Sequence, residues 1–192
     1  MGASKKGFTA LENISFDIAK GSCFGIIGQN GSGKSTLLQL ISGISRPDFG
    51  DIRVVGKVSA LLELGSGFNK NFTGRENVSL YSSIIGTENV SNKKIINGII
   101  EFAEIDDFID QPLSTYSSGM VARLAFATRI FLDFDILILD EILSVGDAYF
   151  QRKCFRYLEN LKGKGKTIIF VSHSTNQLLE ICDTALVLEG GR

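Results

Sequence analysis

Gly28-Gln29-Asn30-Gly31-Ser32-Gly33-Lys34-Ser35 satisfies the pattern G-x-x-x-x-G-K-[ST]. Before it, Cys23-Phe24-Gly25-Ile26-Ile27 is a short apolar run of strand type. After it, Ser35-Thr36-Leu37-Leu38-Gln39-Leu40-Ile41 reads as a helix, stopped by Gly43 and the Arg46-Pro47-Asp48 turn. Strand, glycine loop and helix in that order form a phosphate cradle. Glycines let successive backbone N–H groups turn inward, the helix start presents its positive end, and Lys34 adds a full charge. Ser35 is left to hold Mg²⁺ through its hydroxyl.

Phosphoryl transfer to water also needs charge neutralisation and an oriented nucleophile. Ile136-Leu137-Ile138-Leu139 is a nearly continuous apolar run, the mark of a parallel strand covered on both faces, and Asp140-Glu141 follow it. Asp140 is placed to reach the Mg²⁺ shell and Glu141 to polarise a water; the same pair would also serve as a cap for a following helix. A second such run, Thr167-Ile168-Ile169-Phe170-Val171, leads through Ser172 to His173, the single histidine. Position alone leaves His173 either structural or a hydrogen-bonding partner of phosphate or water at the carboxyl edge of the sheet.

The remaining chain supplies the frame. Ile14-Ser15-Phe16-Asp17-Ile18 alternates as a strand does, with Lys20-Gly21 as the turn into the next run. Ile52 to Val55 and Val58 to Leu62 read as a hairpin about Gly56-Lys57, followed by a glycine- and asparagine-rich loop over residues 65–74. From Glu76 to about Phe131 the period is helical, with Ile95, Ile96, Ile99 and Ile100 on one face and a break at Asp110-Gln111-Pro112. Residues 150–161 form a further helix between the two buried strands.

At 192 residues the chain is long enough for one sizeable core, and is read as one domain over residues 1–192. Twenty basic against twenty-one acidic residues give a net charge of −1, so bulk charge draws it neither to nucleic acid nor to an anionic membrane. The longest apolar stretch, near residues 130–139, is interrupted by Asp133 and Asp135 and falls short of the roughly 20 residues of a membrane span. The Met1-Gly2-Ala3-Ser4-Lys5-Lys6 start lacks the apolar core of a secretory signal, and Cys23, Cys154 and Cys182 have no metal-ligand spacing. Reduced thiols in cytosol fit these features.

With these motifs the chain resembles the nucleotide-binding domains of ABC transporters, Gly28 to Ser35 standing as Walker A, residues 136–141 as Walker B and His173 as the switch histidine. The resemblance implies an α/β fold: a P-loop NTPase core with a mostly parallel sheet, a small antiparallel β subdomain and an inserted helical subdomain over about residues 76–131. It implies ATP and Mg²⁺ as cofactors and ATP hydrolysis as the activity, with Glu141 and His173 catalytic and Ser35, Asp140 and Glu63 near the metal. Glu63 stands where the family usually has a glutamine, which leaves either a carboxylate by the metal or a shifted contact. Nucleotide contact is implied at Phe8, for adenine stacking, and at Gly28, Gln29, Asn30, Gly31, Ser32, Gly33, Lys34, Ser35 and Thr36.

The family signature is usually Leu-Ser-Gly-Gly-Gln; here Tyr116-Ser117-Ser118-Gly119-Met120 holds its place. The resemblance implies that Ser117, Ser118, Gly119 and Met120 cap the nucleotide of a second copy, head to tail. Ser117 and Ser118 would equally serve as ordinary helix caps. Asp147, in Ser144-Val145-Gly146-Asp147, is implied in signalling across that dimer. Residues 62–68, 73–77, 116–120 and 145–147 together are similar to the branch exporting O-antigen, teichoic acid or capsular polysaccharide. That branch implies a polytopic membrane permease as partner, a peripheral place on the cytoplasmic face of the membrane without insertion, and no nucleic acid. Family members also continue beyond both ends of this chain. A soluble non-transport ABC ATPase and a non-catalytic ATP-dependent dimerisation module are the competing readings.

Overall fold

The computed structural model describes residues 8–61, 67–84, 93–140 and 147–192. The elements run β1 (Cys23–Gly28), α1 (Lys34–Ile41), β2 (Val58–Leu61), α2 (Gly74–Ile84), α3 (Lys93–Ala103), α4 (Ser118–Phe131), β3 (Ile136–Asp140), α5 (Ala148–Gly163), β4 (Thr167–Val171), α6 (Thr175–Ile181) and β5 (Thr184–Leu188). The five strands form one parallel sheet in the order β2-β3-β4-β1-β5.

Alternation along each strand sorts the core into two layers. Phe24, Ile26, Ile138, Ile169, Val171 and Leu188 pack with Leu37, Leu38 and Ile41 of α1. Cys23, Leu137, Leu139, Ile168 and Phe170 pack on the other face with α5 and α6 and with the helical segment. Leu137, Ile138 and Leu139 are all fully buried, so each contributes about 1.5–3 kcal/mol, and neither face of β3 tolerates a polar residue. This two-sided burial is why the strand reads as an unbroken apolar run.

The helical segment follows expectation. α3 buries Ile99, Ile100, Phe102 and Ala103 against α4, and a pair of short 3₁₀ turns, Asp106–Phe108 and Leu113–Thr115, brackets the break at Asp110-Gln111-Pro112. Glu104, in the left-handed region at φ 56°, ties the segment to the core: its carboxylate accepts from Lys153 of α5 at 2.7 Å and lies 3.5 Å from Arg123 of α4.

The expected antiparallel subdomain has no strand among the described residues. Residues 14–18 bury Ile14, Phe16 and Ile18 against the α1 layer, with Phe16 stacked on Phe24 at 5.1 Å, yet carry no ladder. Their alternation records which side chains face inward, not a backbone partner. The hairpin about Gly56-Lys57 is likewise absent. Ile52, Val54 and Val55 are exposed outside any strand, while Val58–Leu61 joins the edge of the parallel sheet in register with Ile136 to Leu139. Gly56, at φ 118°, packs where a Cβ would meet Asp135 Cβ at 2.7 Å, and Lys57 N donates to Asp135 Oδ2 at 2.8 Å. The apparent hairpin turn is a clasp onto the loop before β3.

Candidate nucleotide site

The register of the sheet assembles the site. Ile26 lies beside Val171, and Val171 beside Asp140, so β1, β3 and β4 reach the same edge together. From that row Gly28 opens the phosphate loop, Asp140 ends β3, and Ser172 donates from its N–H to Ile26 O at 3.2 Å, setting exposed His173 next to the edge. Ser172 is buried and held by its hydroxyl's bond to Gln177 Oε1 at 2.7 Å, so the His173 loop is fixed at its root. Ligands of open parallel sheets bind at this carboxyl edge.

The loop is a built cradle. Gly31 and Gly33 take φ values of 80° and 101°, the left-handed region that favours glycine. A Cβ on Gly28 would stand 2.4 Å from Ser32 Oγ and 2.5 Å from Leu188 O, so only glycine lets the loop fold back this tightly. Ser32 is buried, its hydroxyl without a hydrogen-bond partner among the described residues, and its carbonyl accepts from Gly191 N at 3.1 Å. The first intrahelical bond of α1 runs from Leu37 N to Gly33 O at 2.9 Å, leaving the N–H groups of Lys34, Ser35 and Thr36 unused by the helix. Lys34 is buried and its ammonium arches over the loop, donating to Gly28 O at 2.8 Å and Gln29 O at 3.0 Å. Gln29, Asn30, Gly31 and Ser35 are exposed on the open side.

These residues fit a magnesium nucleotide: first-turn N–H groups and a lysine for the phosphates, the Ser35 hydroxyl and the Asp140 carboxylate for the ion. Mg²⁺ is an ion held by one or two carboxylates together with substrate phosphates and water, which a serine hydroxyl and one aspartate can serve. Glu141 and Glu63 lie outside the described residues. Phe8 is 89 % exposed and so is not a core residue. The wall behind the loop, made by Leu188 O and Gly191, is absent from the sequence reading; the Gly190-Gly191 pair after the last strand was its only signal.

The signature turn is built separately, on the helical segment. Ser117 is the N-cap of α4, accepting from Met120 N at 3.2 Å, so of the two candidate serines the cap is Ser117, and Ser118 begins the helix. Gly119 has no positive φ, and a Cβ there would meet only Ser117 Oγ, at 3.9 Å. The approach to this turn is heavily tied. Tyr116 donates its hydroxyl to Phe108 O at 2.6 Å, Leu113 N to Phe72 O at 2.9 Å, and Arg75 forms a bidentate pair with Asp110 at 2.7 and 3.1 Å. Thr73 and Glu76 close a capping box at 2.8 and 3.1 Å, and buried Asn77 knits the loop before α2 through Asn69, Phe72 and Thr73. Asp147 caps α5, accepting from Phe150 N at 2.8 Å.

A nucleotide cradle at the sheet edge and a separately presented glycine turn on a helical insert are the two parts of an ABC cassette, and the ABC transporter family model matches residues 11–144. The chain belongs to the ABC transporter ATP-binding family. It is 50 % identical over 189 residues to the ABC transporter protein AbcA of Aeromonas salmonicida, a match covering 98 % of this chain and 61 % of that one. It is 48 % identical over 183 residues to the O-antigen export system ATP-binding protein RfbB of Myxococcus xanthus, covering 95 % of this chain and 42 % of that one. The chain thus spans less than two thirds of the length of each of these two curated relatives. Its fold matches a dimeric post-hydrolysis structure of the ATP-binding cassette MJ0796 bound to ADP and Pi, with a TM-score of 0.85 at 22 % identity, over 100 % of this chain and 91 % of that one.

Proposed function

We propose that this chain is the ATP-hydrolysing subunit of an exporter, working as two copies clamped head to tail about two ATP molecules. One observation supports the pairing above the rest. Glycine within a helix costs up to about 1 kcal/mol relative to alanine, and Gly119 sits in the first turn of α4 where nothing among the described residues excludes a Cβ. A helical glycine that these surroundings do not require is compatible with close approach of a ligand from outside, and a phosphate at the α4 N-terminus is the ligand such a turn suits.

In this reading Lys34 and the loop N–H groups hold the β and γ phosphates, while Ser35 and Asp140 hold Mg²⁺. The ion neutralises phosphate charge when bound. Glu141 orients the attacking water and His173 hydrogen-bonds the γ-phosphate from the neighbouring strand end. Ser117 Oγ and the Gly119 N–H of the partner copy close the site. Phe8 stacks on adenine and Asp147 passes closure between the copies.

The sequence likeness to polysaccharide exporters, and the O-antigen export relative, support a bacterial surface polysaccharide as cargo and a separate membrane permease as partner. No helix among the described residues is long and apolar enough to cross a membrane. The knitted loop at residues 67–77, bound to the segment before the signature, is the surface suited to receive it.

Replacing Glu141 by glutamine tests the assignment. The variant is expected to keep ATP binding, lose turnover and accumulate an ATP-dependent dimer on size exclusion with light scattering. Hydrolysis at the parent rate removes Glu141 from its role. Co-purification of a stoichiometric multi-span permease with the full-length protein is expected from membranes; recovery only with ribosomes or DNA overturns the export assignment.

A further inference from the structure

Two of the three cysteines are neighbours. Cys23 opens β1 and is wholly buried; Cys182 is the C-cap of α6, half-buried, and its sulfur lies 3.5 Å from that of Cys23. The contact is framed on both sides. Asp183 N donates to Cys23 O at 2.8 Å, and the Asp183 carboxylate accepts from Cys23 N at 2.9 Å and from Lys162 Nζ at 2.5 Å. Gly25 leaves room for the outer sulfur, since a Cβ there would stand 3.2 Å from Cys182 Sγ. A disulfide needs its sulfurs about 2.05 Å apart, so closure takes a movement of about 1.5 Å at the end of a helix.

The two thiols are unequal. The hydrogen bond shared with Cys23, helped by the Lys162 charge and opposed by burial and the Asp183 carboxylate, holds the Cys182 thiol below its usual range, whereas Cys23 is pushed well up by that same bond and by burial. Cys154, on α5, is pushed up to about 12 by burial alone and has no sulfur neighbour among the described residues. A partly accessible sulfur beside a buried second thiol is the arrangement of a reactive cysteine with its resolving partner.

We propose that Cys182 and Cys23 form an oxidisable dithiol site, at which a hydroperoxide converts two free thiols into a disulfide joining the α6–β5 connection to the start of β1. The Cys182 thiolate attacks the peroxide oxygen; an S–O bond forms, the O–O bond breaks, and hydroxide, or an alkoxide, leaves. Cys23 then attacks that sulfur: the S–S bond forms, the S–O bond breaks, and the departing hydroxide with the Cys23 proton leaves as water. Each disulfide consumes one peroxide, and a thiol reductant reverses it.

The test uses the whole 192-residue chain, folded and reduced, treated with hydrogen peroxide and read by intact mass and peptide mapping. The parent is expected to lose two hydrogens and yield one linked peptide pair, Cys23 with Cys182, restored by dithiothreitol. Oxidation of Cys182 should outpace that of Cys154 by at least about tenfold. Cys23→Ser should stop at a Cys182 sulfenic acid trapped by dimedone, and Cys154→Ser should behave as the parent. Equal oxidation of Cys182 and Cys154 in the parent, or a lasting Cys182 sulfenic acid with Cys23 still free, overturns the proposal. Both readouts come from the parent, so neither depends on a variant folding.

Discussion

The phosphate loop and the signature turn both rest on glycine and a helix start, and they differ in what requires the glycine. Gly28 is demanded from within: a Cβ would collide with Ser32 Oγ and Leu188 O at 2.4 and 2.5 Å. A Cβ on Gly119 would meet, among the described residues, Ser117 Oγ at an ordinary 3.9 Å, and yet glycine occupies this helix position. The loop is a finished structure in one copy, with its lysine arched over its own carbonyls. In the proposed dimer the turn is one half of a site whose other half is the phosphate loop of a second copy.

The largest expected effect comes from the finished half. Lys34→Ala removes the buried ammonium and should weaken ATP binding by roughly a hundredfold or more, the worth of one charged hydrogen-bonding group at phosphate, measured by titration calorimetry. Binding near the parent value would break the assignment of the loop. Gly119→Asp puts a carboxylate where the partner's phosphate should arrive. Binding to a single copy should stay within about twofold of the parent while turnover falls by roughly a hundredfold, through lost transition-state contacts. A variant that still turns over normally would reduce the turn to a helix cap.

The smallest effect is the sharpest comparison. Gly28→Ala should destabilise the free chain by about 1–3 kcal/mol, because the added methyl is forced against backbone and a buried hydroxyl. Gly119→Ala should leave stability unchanged or raise it by up to about 1 kcal/mol. Urea unfolding without nucleotide reads both, and equal losses would erase the distinction between the two glycines.

The same contrast governs what was legible in the sequence. The strand–loop–helix order about residues 23–41, and the strands β3 and β4, are legible because their signals are local: a fixed glycine spacing, and apolar runs produced by burial on both faces. The helical segment was legible from the Ile95, Ile96, Ile99 and Ile100 face, since α3 carries its period within 11 residues. The wall behind Gly28 was not, because Leu188 and Gly191 come from the far end of the chain. Gly56-Lys57 was misread as a hairpin turn because its partner, Asp135, is 78 residues from Lys57, and no local pattern distinguishes a clasp from a turn. Residues 14–18 show the limit of alternation, which reports the buried side chains of Ile14, Phe16 and Ile18 but not a backbone partner. At the signature, sequence left Ser117 and Ser118 equivalent; only the Met120 N–H, directed at Ser117, separates them.

In the proposed dimer a working site takes its phosphate loop from one copy and its signature turn from another. Mixing Lys34→Ala protein with Gly119→Asp protein separates this arrangement from a site complete in one copy. Each is inactive alone, but a head-to-tail heterodimer unites both defects in one site and leaves the second intact. With random pairing and independent sites, an equal mixture should recover about a quarter of the parent ATPase rate. A mixture as inactive as its components, under conditions where the parent dimerises and hydrolyses ATP, would contradict the shared site.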